Sequence, residues 1–132
     1  MRRLFPLLAA VLLLAGCKKS NEAGVVEIRI MNNTAWTIYH PVINPSSLFG
    51  SESSSAIGHK YADIAAGASS DYKPYRSAYR YAEYSMEING KRYAAVPYDY
   101  VGEHLLAPGR YTYKISIDAS ADTLILTCTA DR

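Results

Sequence analysis

Beyond residue 24 the chain alternates between apolar and polar positions in short runs separated by turn residues. In "VVEIRIM", Val26, Ile28 and Ile30 share one face and Glu27 and Arg29 the other, the spacing of a half-buried strand. "AWTIYHPVI" follows, with Trp36 and Ile38 in phase. Pro41 assigns this piece to a sheet edge or a bulge, because proline has no N–H to give to a ladder. "HKYADI" predicts a short strand, closed by a turn around Gly67. In "AYRYAEYSMEI", Ala82, Tyr84, Met86 and Ile88 oppose Tyr81, Glu83, Ser85 and Glu87. Asn89-Gly90, between this run and "KRYAAV", predicts a two-residue type I′ hairpin, whose turn residues both need positive φ. "RYTYKISID" alternates most cleanly, with Tyr111, Tyr113, Ile115 and Ile117 against Thr112, Lys114, Ser116 and Asp118. "TLILTCT" is the last strand.

Two stretches break the alternation. Residues 44–58, "NPSSLFGSESSSAIG", are a Ser, Gly and Pro loop in which Leu48 and Phe49 read as a plug against the core. "PYDYVGEHLLAPG" is a second loop, turned by Pro108-Gly109. Seven or eight strands without a convincing helix predict an all-β domain over residues 25–132. The expected architecture is an antiparallel two-sheet β-sandwich of immunoglobulin-like type, with a small barrel as the alternative. The Cys…Trp…Cys framework of antibody domains is absent.

The N-terminus has a different grammar. Met1-Arg2-Arg3 precedes an apolar run, Leu4 to Gly16, too short to span a bilayer and laid out as a secretory signal peptide. Leu14-Ala15-Gly16-Cys17 resembles the lipobox of bacterial lipoproteins. That resemblance implies cleavage after residue 16, diacylglycerol on the Cys17 sulfur and acylation of the new amino group. Several acyl chains hold a protein on a membrane where one holds only marginally. Residues 17–24 then form the lipidated cysteine and a polar tether that reaches at most ~25 Å from the lipid. A thioether at Cys17 leaves Cys128 without a disulfide partner. In phase with Leu124 and Leu126, Cys128 reads as a small buried hydrophobe.

"AGASSDY", "AYRYA", "INGKRY", "PYDYVGEHL" and "GRYTYKI", between Tyr61 and Lys114, resemble small lipoproteins of Bacteroidota-type bacteria. The resemblance covers about half of the chain after Cys17. It implies an outer-membrane or cell-surface lipoprotein with a β-sandwich domain and carries no particular activity with it. Acidic residues often follow the lipidated cysteine in surface lipoproteins of such bacteria. Here Lys18 and Lys19 come first and Glu22 is the one nearby acid, which leaves periplasmic against cell-surface facing open.

Charge and motifs narrow the function classes. Of fourteen Lys and Arg, Arg2 and Arg3 leave with the signal, so twelve remain against twelve Asp and Glu. A balanced chain has no electrostatic footprint for nucleic acid. His40, His59 and His104 lack metal-ligand spacing, and no phosphate loop, nucleophile elbow or HExxH occurs. No metal, cofactor or catalytic residue is therefore assigned. Asp99, Glu103 and His104 are the residues an enzymatic alternative would use. All twelve tyrosines lie in the domain. Tyr84, Tyr111 and Tyr113 read as core or rim residues. Tyr75, Tyr79, Tyr81, Tyr98 and Tyr100, with Asp99, are the candidate ligand-binding surface for a glycan or an envelope protein. The expectation is a membrane-anchored, non-enzymatic binding domain of the cell envelope. The alternative is an accessory subunit of an envelope complex, held by strand addition at a sheet edge.

Overall fold

A computed structural model describes residues 25–45, 59–97 and 102–132. The expectations for the signal peptide, Cys17, the tether, Leu48 and Phe49, and Tyr98, Asp99 and Tyr100 lie outside the described residues. Eight strands follow in order: β1 (Val26–Asn32), β2 (Ile38–Asn44), β3 (His59–Lys60), β4 (Lys73–Tyr75), β5 (Glu83–Ile88), β6 (Lys91–Ala95), β7 (Gly109–Asp118) and β8 (Thr123–Ala130). They form two four-stranded sheets, ordered β4-β1-β7-β8 and β3-β2-β5-β6. The described residues contain no helix. Inward side chains of both sheets, among them Ile28, Ile30, Ile38, Ile43, Met86, Ile88, Tyr113 and Ile115, make one core. The chain is thus a β-sandwich and not a closed barrel.

One pairing departs from an antiparallel sandwich. β1 runs parallel to β7 over seven pairs, from Val26↔Gly109 to Asn32↔Ile115. Side-chain alternation sets which face a residue occupies and is blind to strand direction, so the sequence pattern carries no sign of it. The hairpin expectation holds: Asn89 and Gly90 have φ of 52° and 73° between β5 and β6. Pro41 sits at a bulge in β2, an interior strand, where the register with β5 shifts between Tyr39 and Val42. His40 takes φ of 51° there, and its N–H donates to Asp63 Oδ1 at 2.9 Å. The extra residue moves the inward phase from Ile38 to Ile43.

Three local readings change. Trp36 does not continue the β2 alternation; it belongs to the β1–β2 connection and is 44% exposed. "HKYADI" forms only a two-residue strand, followed by a single bridge from Ile64 to Ile38. The segment Lys73–Tyr75, not anticipated as a strand, pairs with the start of β1.

Two buried tyrosines cross between the sheets. Tyr61 Oη donates to Ile28 O of β1 at 3.0 Å, and Tyr75 Oη donates to Ile43 O of β2 at 3.2 Å. The two hydroxyls lie 3.0 Å apart. Each hydroxyl has one proton, so three contacts share two donors. Burial pushes the Tyr61 hydroxyl up to about 12, against a hydrogen bond from Tyr75 that lowers it. Burial, with Tyr61 close by, drives Tyr75 further in the same direction. On this side the sandwich is also closed by His59 Nε2, which donates to Pro74 O at 2.7 Å.

Candidate functional site

Three connections meet at one end of the sandwich. They are residues 33–37 between β1 and β2, the Asn89-Gly90 turn, and residues 119–122 between β7 and β8. β1 starts at the other end, so Val25 lies on the far side of the domain from these connections.

The 33–37 connection is built around Asn32, which is fully buried. Its Nδ2 donates to Trp36 O at 2.8 Å and to Ile64 O at 2.9 Å. Its Oδ1 accepts from the Thr34 N–H at 3.0 Å and from Thr34 Oγ1 at 2.7 Å. A side chain with this many partners fixes the turn and so fixes where Trp36 stands. In the third connection, Asp118 Oδ1 accepts from Ser120 N and Oγ at 2.9 and 2.7 Å, and these bonds hold its carboxyl below the usual range. Asp122 then takes φ of 49°, which turns its carboxylate toward β6.

Between these turns lies a half-open cleft of about 400 Å³, lined by Trp36, Asn89, Lys91, Tyr93 and Asp122 over a floor that includes Ile88 and Ile117. Lys91 Nζ donates to Asp122 Oδ2 and, at 3.3 Å, to Asp122 O. Tyr93 Oη donates to Asp122 Oδ1 at 2.9 Å, and the Lys91 ammonium lies 4.9 Å from the Tyr93 ring centre. Hydrogen bonds from Lys91 and Tyr93 hold Asp122 below the ordinary carboxylate range, and the bond to Asp122 holds Lys91 above the ordinary lysine range. Both therefore stay charged at neutral pH and cancel each other. The cleft presents two aromatic rings, an amide and a neutralised ion pair, which suits an uncharged ligand with hydroxyl groups.

The residues singled out from sequence do not gather here. Tyr75 is 3% exposed and belongs to the core, which removes it from any surface patch. A strand of three residues is too short to show alternation, so the sequence carries no sign that Tyr75 faces inward. Tyr79 is half-buried, and its carbonyl accepts a hydrogen bond from Tyr113 Oη. Tyr81 is 54% exposed and lines a different cleft, described below. Tyr98, Asp99 and Tyr100 lie outside the described residues. Of the enzymatic alternative, Glu103 is half-buried and His104 exposed. Among the described residues no group of three His, Cys, Asp or Glu side chains is placed to hold a metal ion. The core and rim tyrosines behave as expected: Tyr113 is buried, and Tyr111 Oη donates to Ala107 O at 2.7 Å. Cys128 packs half-buried against the core, where burial pushes its thiol up to about 11.

The outer face of the β1–β7 pair carries a polar network instead of a cleft. Arg110 Nε donates to Glu27 Oε2 at 2.8 Å, and Arg29 Nε donates to Thr112 Oγ1 at 2.9 Å. Tyr72 Oη donates to Asp131 Oδ2 at 2.7 Å, with Arg29 and Arg110 both against the Tyr72 ring. Burial pushes the Asp131 carboxyl up, but bonds from Tyr72 and Thr112 and the charge of Arg29 outweigh it and hold it low. These charges are mutually satisfied and make a solvated sheet face.

The fold is similar to that of a protein from Eubacterium rectale solved by NMR, with a TM-score of 0.53 across 86% of this chain and 94% of the other, at 10% sequence identity. At that identity the likeness concerns the fold alone. No protein family and no curated protein matches the sequence.

Proposed function

We propose that this protein is a lipid-anchored, non-enzymatic binding module of the bacterial envelope that takes a saccharide in the Trp36–Tyr93 cleft. The observation that carries the ligand assignment is the cleft itself: an exposed tryptophan, held in place by a buried asparagine, stands with a tyrosine and a neutralised ion pair. Sugar rings have apolar C–H faces and polar rims, and aromatic platforms flanked by hydrogen-bonding groups match both. A preformed turn reduces the ordering cost of binding. The lipobox at Leu14–Cys17 supports the anchor, and the cleft lies at the end of the domain opposite Val25.

Trp36 is the chain's one tryptophan, so its emission reports on the cleft directly. The test is retention of the full-length protein on a glycan array, followed by titration of the retained oligosaccharide against Trp36 fluorescence. Saturable quenching or a blue shift is expected, with retention lost in Trp36→Ala and weakened in Tyr93→Ala. An array without retention, or one indifferent to Trp36→Ala, refutes the ligand assignment. The anchor is checked separately: metabolic labelling with a fatty acid should mark the wild type and not Cys17→Ser.

A further inference from the structure

A sandwich of two open sheets has four outer strands, and proteins blunt such edges because unpaired N–H and C=O groups recruit other strands. Three of the four are blunted here. β3 has two residues, β4 has three with Pro74 in the middle, and β6 carries Lys91 and Arg92. β8 is different. It has eight residues, "TLILTCTA", with neither proline nor charge, and Ile125 stands 42% exposed on its outer face.

The hydrogen-bond phase of that edge follows from one bond. The Asp131 N–H donates to Arg110 O at 2.8 Å, in the register that continues Tyr111↔Ala130. Odd-numbered β8 residues therefore bond to β7. The N–H and C=O groups of Leu124, Leu126, Cys128 and Ala130 point away from it. No hydrogen bond reaches them among the described residues. Alongside this edge an apolar cleft of about 300 Å³ opens between the sheets, lined by Tyr81, Ala82, Tyr84, Val96, Pro97 and Leu126. An added strand would extend the sheet and roof the cleft with its own inward side chains.

We infer that β8 pairs with β8 of a second copy, antiparallel and centred on Leu126. In this register Leu126 meets Leu126 and Leu124 meets Cys128 as hydrogen-bonded pairs, which uses the outward groups of both edges. Ile125 faces Thr127 and Thr123 faces Thr129 on the outer surface, uncharged β-branched pairs of the kind that stabilise sheets. The flanking charges decide the direction. Antiparallel pairing sets Asp122 against Ala130 and Asp131 against Ala121, whereas in-register parallel pairing would set Asp122 against Asp122. On a membrane, tethering raises the effective concentration that a strand-edge contact needs.

The register is tested with full-length Ile125→Cys and Thr127→Cys. Both positions are on the outer face, where cysteine leaves the core untouched. Mixing the two variants under mild oxidation should give a covalent dimer on a non-reducing gel, and neither variant alone should exceed the wild type, which controls for the native thiols. Sedimentation velocity reads the association itself: Thr127→Lys should raise the dimer dissociation constant by roughly tenfold or more, since each dimer would hold two lysines in the new sheet. A wild-type monomer at every concentration, no heterologous cross-link, cross-linking by a single variant alone, or an unchanged dissociation constant in Thr127→Lys would each overturn the inference.

Discussion

Replacing Tyr61 and Tyr75 by phenylalanine, singly and together, measures how the two sheets are joined through the core. The rings remain, so apolar burial scarcely changes and only the hydroxyls are lost. A buried hydrogen bond contributes about 1 kcal/mol net. Three contacts are drawn in the structure: Tyr61 to Ile28 O, Tyr61 to Tyr75, and Tyr75 to Ile43 O. Two hydroxyl protons can serve only two of them at a time. Each single variant keeps one proton and one bond and costs about 1 kcal/mol; the double variant keeps none and costs about 2 kcal/mol. The coupling energy from the cycle should thus lie within ~0.5 kcal/mol of zero. If the three contacts were three simultaneous bonds, each single variant would lose two, about 2 kcal/mol. The double would lose three, and the cycle would show about 1 kcal/mol of coupling. Urea unfolding followed by Trp36 emission and circular dichroism gives all four stabilities. A coupling of 1 kcal/mol or more refutes the proton count.

The same pair sets an alkaline limit. The folded Tyr61 hydroxyl is raised to about 12, above its unfolded value, so its contribution is complete below pH 10 and is lost as pH climbs toward 12, roughly 2–3 kcal/mol in all. The urea midpoint should fall over that range, and less steeply in Tyr61→Phe/Tyr75→Phe; equal slopes would refute the assignment. Asn32→Ala removes a fully buried amide with four partners and should cost roughly 2–4 kcal/mol. It should also shift Trp36 emission in the folded state, and an unchanged spectrum would show that Asn32 does not set the cleft. Cys128, with its thiol raised to about 11, should react with a disulfide reagent at pH 8 roughly tenfold or more slowly folded than in urea, Cys128→Ala serving as the blank. Equal rates would mean an open site.

Four of the five strands that span six or more residues show a legible face, because a face needs several repeats to declare itself; in β2 the bulge at Pro41 breaks the phase. β1, β5, β7 and β8 show theirs in Val26-Ile28-Ile30, Met86-Ile88, Tyr113-Ile115 and Leu124-Leu126. Asn89-Gly90 was legible for another reason, since two adjacent positive φ angles demand those residues. β4 was not, and Tyr75 went with it: Lys73-Pro74-Tyr75 offers one alternation and a proline. Nor was the cleft. Its residues come from three turns that are far apart in the chain, and only the strand topology brings Trp36, Asn89 and Asp122 to one end. In the sequence Trp36 is in phase with Ile38, whereas buried Asn32 and half-buried Thr34 lock it into a turn. The available signal was an uneven one: the chain's single tryptophan two residues after "NNT", a turn-forming triplet.

The parallel contact between β1 and β7 joins distant parts of the chain. Its partners lie 83 residues apart, as in Arg29 and Thr112. The hairpins β5–β6 and β7–β8 are local in sequence, while before β7 the strand β1 is held by three pairs with β4 and by hydrogen bonds to residues 67–70. In a chain made from its N-terminus, β1 therefore waits for residues 109–118 before its seven-pair contact can form. Until then the sheet that holds β1 cannot close, and inward residues such as Ile28 and Ile30 have no completed core to enter.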